Sequence, residues 1–79
     1  MTDTLERLTA VARVTFKAPG AVITTATTAD DVDGWDSLSH ALFLLNVERA
    51  FSIQFDPADV IDLEDVGELV RLVDNLRAG

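Results

Sequence analysis

The residues with chemical potential gather in one stretch, Asp33-Gly34-Trp35-Asp36-Ser37-Leu38-Ser39-His40, where an acidic, turn-rich segment gives way to an apolar run ending at Phe51. Ser37 and His40 are three apart, so one helix face would carry a nucleophile beside a base. Such catalysis also needs a group that orients the base, an oxyanion hole and a substrate cleft. No G-x-S-x-G elbow is present, and 79 residues enclose a site with difficulty, so catalysis is set aside. His40 is expected on the inward side of its helix, bonded to loop backbone; contact with a prosthetic group or an enzyme is the alternative. The acids Asp30, Asp31, Asp33 and Asp36 raise calcium. Setting Gly34 at the glycine of an EF-hand loop puts Asp31 and Asp33 at ligand positions, but it puts Ala29 first and His40 where the bidentate glutamate belongs. With one histidine and no cysteine, no metal site is assigned.

A different chemistry suits Ser37. A short polar residue ahead of a helical run caps it, because its side-chain oxygen accepts from the orphan N–H groups of the first turn. Asp36 and Ser37 sit at that border, which places Ser37 at or just inside a helix N-terminus with its hydroxyl near the surface. Backbone N–H groups and the positive end of the helix dipole favour an anion there, including a phosphate esterified to the hydroxyl.

Asp36-Ser37-Leu38 resembles the D-S-L signature of acyl carrier proteins, in which the serine is the attachment point for 4'-phosphopantetheine. Three letters are a weak signal. The context sharpens it: Gly34 two residues before Asp36, an apolar helix ending in Phe51, a short Asp56-Pro57 element and a last amphipathic helix, in the family's order over essentially the whole chain. The resemblance implies that Ser37 receives the arm from coenzyme A through a phosphopantetheinyl transferase, a Mg²⁺-dependent enzyme. It implies a carrier without turnover of its own, whose thiol holds acyl groups as thioesters for acyl-loading and acyl-transfer enzymes such as synthases or ligases. Asp36 and Leu38 would complete the attachment site, and Leu38, Ala41, Leu45 and Glu48 would form the docking face.

The sequence departs from the pattern of fatty-acid-synthesis carriers, which usually have acids just after the serine and along the second helix. Here the chain reads Ser39-His40, then Leu42, Asn46 and Arg49. With Trp35 before Asp36, it looks more like discrete carriers of polyketide, nonribosomal peptide or other specialised pathways. An aminoacyl or peptidyl carrier of nonribosomal synthesis, and an unmodified interaction module of the same fold, are the alternatives.

The elements that must position these residues follow from length and pattern. Residues 1–79 are expected to make a single carrier domain, stand-alone and monomeric, near the lower limit for a core without staples. The absence of cysteine suits a cytoplasmic protein. No apolar run is long enough to span a membrane, and no signal-peptide block opens the chain. A net charge of −8 argues against nucleic acid and for basic protein partners. The charge is uneven: two acids and three bases precede Asp30, against twelve acids and three bases from Asp30 onward. That asymmetry predicts a negative docking surface on the central and C-terminal parts.

The periodicity predicts an all-α bundle of four helices at about 4–17, 37–51, 57–61 and 66–77, with a long loop between the first two and a short third helix; the resemblance implies that this is the four-helix acyl-carrier-type bundle. Asp3 and Glu6 have capping-box spacing, as do Asp65 and Glu68. Leu5, Leu8, Val11, Ala12 and Phe16 form the first stripe, and Pro19-Gly20 is expected to stop that helix. The Thr-rich connection offers Val22, Ile23, Val32 and Trp35 as anchors; a strand there would have no partner. In the second helix, Phe43, Leu44, Val47, Ala50 and Phe51 share one face, and Leu38, Ala41, Leu42 and Leu45 the opposite one. Too little chain remains to bury both, so the Leu38 face is expected to stay partly exposed for a partner. Asp56-Pro57 opens the third helix, packed down by Val60, Ile61 and Leu63. Val66, Leu69, Val70, Val73 and Leu76 form the last stripe.

Overall fold

A computed structural model describes residues 3–61 and 63–78, without the side chain of Asp3. Four helices run in order: α1 (Asp3–Thr15), α2 (Ser37–Phe51), α3 (Pro57–Val60) and α4 (Val66–Ala78), with a 3-10 turn at Ala29–Asp31. Among the described residues there is no strand, and no helix is long and apolar enough to cross a membrane. The fold is the expected all-α bundle with its long first loop and short third helix. The capping box proposed for Asp3 lies outside the described side chains.

α1 packs against both α2 and α4. The core joins Leu8, Ala12 and Phe16 of the first helical stripe to Phe43, Val47 and Phe51 of α2 and Val66, Leu69 and Val73 of α4, with Ile23 from the loop. α1 ends two residues earlier than its sequence suggests. Lys17 turns left-handed at φ 54°; its N–H donates to Val14 O, and that of Ala18 to Arg13 O. These paired bonds are a Schellman closure, here achieved by a lysine where glycine is usual, and they precede Pro19-Gly20. α2 ends the same way: Ser52 is left-handed, and the N–H groups of Ser52 and Ile53 both donate to Glu48 O.

α3 opens as its sequence dictates, with Asp56 accepting from the Ala58 N–H and Pro57 in the first turn. Ile61 is a correction. It is 78 % exposed, because α3 stops at Val60 and leaves only Val60 and Leu63 turned inward. Val22 is also exposed, whereas Ile23, Val32 and Trp35 do anchor the loop. Thr27 is buried, and it braces a tight turn in which its Oγ1 accepts from the Thr24 N–H at 2.8 Å. Ala50 is exposed although it falls on the inward arc of α2; its carbonyl receives the Arg7 guanidinium, which lies over the Phe51 ring.

Candidate functional site

The site begins with an aromatic cluster. Trp35 stacks on Phe16 with ring centroids 4.8 Å apart and meets the edge of Phe43 at 5.4 Å. This cluster pins the last residue of the long loop to the end of α1 and the inward face of α2. Gly34, just before it, has φ 86°, a left-handed geometry that costs other residues a clash at Cβ. The glycine thus turns the chain so that Trp35 goes inward and Asp36 outward.

Asp36 is the N-cap of α2. Its Oδ1 accepts from the Ser39 N–H at 2.9 Å. That backbone bond, helped by the Ser39 hydroxyl and the Leu38 N–H, holds its carboxyl below the usual value. The amides that would otherwise receive an anion on Ser37 are therefore already turned toward Asp36.

Ser37 follows as the first residue of α2 and is exposed. Beside it lies an open cleft of about 390 Å³ lined by Ala29, Trp35, Asp36, Ser37 and His40. His40 is half-buried, as its helical position predicts, but its partner is a side chain and not loop backbone: Trp35 Nε1–H donates to His40 Nδ1 at 3.0 Å. His40, Trp35 and Ala29 also line a small cavity reaching Leu63, Glu64, Asp65, Val66 and Leu69. At about 50 Å³ it matches one or two water molecules. Ser37 and His40 share the cleft with no hydrogen bond between them, and the group that orients the imidazole, Trp35, donates to Nδ1, where a base would need an acceptor to leave Nε2 free. No cluster of three or more His, Cys, Asp or Glu side chains among the described residues could hold a metal ion.

The outward face of α2 carries Leu38, 73 % exposed, with Ala41, Leu42 and Leu45 also exposed. Glu48 is less exposed than they are. It is half-buried, and its Oε2 accepts from the Phe55 N–H at 2.7 Å, fastening the α2–α3 loop. Ala41, Leu44, Leu45, Phe55, Pro57 and Val60 shape a groove between α2 and α3 in which Glu48 is the acid.

Residues 6–73 match the family model described as phosphopantetheine attachment site. The chain belongs to this family of carrier domains. Its fold superposes on the solution NMR structure of a holo acyl carrier protein from Geobacter metallireducens with a TM-score of 0.90 and 38 % identity, covering 99 % of this chain and 88 % of that one. No curated relative matches. Membership in this acyl-carrier-type family makes the protein a carrier and not a catalyst, with covalent 4'-phosphopantetheine as its cofactor. Sequence reasoning missed the roles of Gly34 and Glu48 in building this carrier. The Gly-Trp pair ahead of Asp36 was a usable signal for the first; nothing local to Glu48 announces a bond to Phe55.

Proposed function

We propose that the protein is an acyl carrier protein with 4'-phosphopantetheine esterified to Ser37 Oγ, serving a specialised pathway, polyketide or related. The observation that carries this reading is the placement of Ser37, exposed at the first position of α2 behind the Asp36 cap. The surroundings give the group room: Ser37 lines an open cleft with Trp35 and His40. When bound, the arm supplies the thiol that the sequence lacks, able to hold an acyl group as a thioester. Tethering raises its effective concentration at each partner enzyme.

Asp36 fixes the start of α2 so that Ser37 faces a phosphopantetheinyl transferase, and Leu38 continues the contact surface. Leu38, Ala41, Leu42 and Leu45 dock synthases or ligases, with Glu48 holding the adjoining loop in shape. The neutral and basic residues His40, Asn46 and Arg49 on α2 support a specialised pathway, since they replace acids expected of fatty acid synthesis.

Coexpression with a broad-specificity transferase and coenzyme A, read by intact mass, tests the attachment. One phosphopantetheine should be added to the wild type and none to Ser37→Ala. An unmodified wild type, under conditions that load a control carrier, would leave an interaction module of the same fold. Offering the loaded protein labelled carboxylic or amino acids with lysate and ATP tests the cargo; loading by amino acids alone would overturn the acyl reading.

A further inference from the structure

The Asp36 carboxylate raises a question about the phosphodiester, because it takes the first-turn amides and adds a negative charge beside Ser37. The cleft lining contains no lysine or arginine. Trp35 is there, but its only side-chain N–H is spent on His40 Nδ1. That same bond decides the chemistry of His40. An Nδ1 that accepts carries no proton, so in the neutral ring the proton sits on Nε2, the second nitrogen being set by the partner of the first. Nε2 has no hydrogen-bond partner among the described residues. His40 is three residues after Ser37, a spacing that brings side chains together on one helix face.

We infer that His40 is a positioning residue for the phosphopantetheine arm, its Nε2–H donating to the phosphodiester on Ser37 while Trp35 holds the ring in place. The inference rests on the Ser37 attachment proposed above. It assigns the Trp35–His40 pair a purpose that packing alone does not require, since a leucine would fill the same half-buried position. The bond offsets the repulsion between the diester and Asp36 and fixes the direction in which the arm leaves α2.

A phosphodiester lacks the second acidic proton of a monoester and does not titrate near neutral pH, whereas an imidazole does. The ³¹P shift of the loaded protein therefore reports on its neighbour. The other titratable groups facing the ring are the carboxylates of Asp36 at the head of α2 and of Glu64 and Asp65 before α4. In the loaded wild type we expect a ³¹P shift that steps with pH. It should be lost in His40→Gln, which has no group that titrates there, and kept in Asp36→Asn. Trp35→Phe keeps a ring against Phe16 but removes the orienting N–H, and should weaken the step; it also decides the matter if His40→Gln does not fold. Intact mass of each sample separates the two readings. An unmodified wild type overturns the attachment and this inference together. A loaded wild type with a flat ³¹P profile, or a step that survives in His40→Gln, overturns this inference alone.

Discussion

The amide of Gly67 donates to the carbonyl of Thr25 at 2.8 Å, and the Val66 amide donates to Thr27 O at 2.9 Å. The first amides of a helix have no partner within it, and here the long loop supplies two. The loop is therefore part of the cap of α4, completed by Asp65 Oδ1 accepting from the Glu68 N–H. The Glu68 carboxylate reaches back to the Glu64 amide, one residue beyond the reciprocal partner its spacing suggests. Since the same loop ends in Trp35 and Asp36, the bearing of α4 and that of Ser37 are set by one segment.

Gly67→Ala tests this joint. A Cβ at Gly67 would lie 2.9 Å from Thr25 O and 3.2 Å from Thr25 Cβ, a clash with backbone. Helix propensity alone predicts a gain of about 1 kcal/mol for alanine, while overpacking costs about 1–3 kcal/mol. The expected result is a lower midpoint in urea. A raised midpoint would mean that the loop does not bear on α4.

Gly34→Ala meets no close atom, its nearest neighbour being Phe16 O at 3.6 Å. Its cost is conformational, about 1–2 kcal/mol for a left-handed residue. Trp35 is the one tryptophan, so its emission should shift to the red as the aromatic cluster loosens. Unchanged emission with unchanged stability would place the turn elsewhere.

Asp36 gives a pH dependence with a defined sign. Its folded carboxyl titrates below the ordinary value of 3.8, chiefly because of the Ser39 amide. The stabilisation of the α2 start is then fully present above that value and is lost as pH falls through the lower folded one. The Ser39 amide resonance should follow this transition, and Asp36→Asn, which caps without ionising, should remove it. A midpoint above 3.8 would contradict the bond.

What was legible in the sequence had a period. The inward arc of α2, Phe43 with Val47 and Phe51, and the stripe of α4 are both set by residues that recur at helical spacing, and the caps Asp36 and Asp56 announce themselves by type. Ile61 and Val22 misled because an apolar residue outside a helix carries no phase: burial there depends on where neighbouring segments pass. Thr27 and Gly67 were silent for the same reason, since their bonds join segments far apart in the chain. Lys17 hid the end of α1 because a left-handed lysine has no compositional mark. The site followed the same division. Ser37 and its cap were readable from local chemistry, but the pairing of His40 with Trp35 required knowing which way the loop turns at Gly34.

The two sides of α2 supply the last prediction. Phe51 is 7 % exposed and has the Arg7 and Arg77 guanidinium groups over its ring, 4.1 and 5.2 Å from the centroid. Phe51→Ala should cost about 3–5 kcal/mol, against a total of about 5 kcal/mol for a small domain, so unfolding should be visible by circular dichroism. Leu45 is 41 % exposed and its removal leaves no closed cavity; Leu45→Ala should change stability by about 0.5 kcal/mol or less while weakening transfer to a partner enzyme. Glu48→Lys is a poorer probe of docking than its charge suggests. It removes the acceptor of the Phe55 amide, which costs about 1–3 kcal/mol, as well as slowing association at low salt. Glu48→Gln can still accept that bond, so comparing the two separates steering from loop support. If Leu45→Ala melts the protein as Phe51→Ala does, the outward leucines belong to the core and the docking face lies elsewhere.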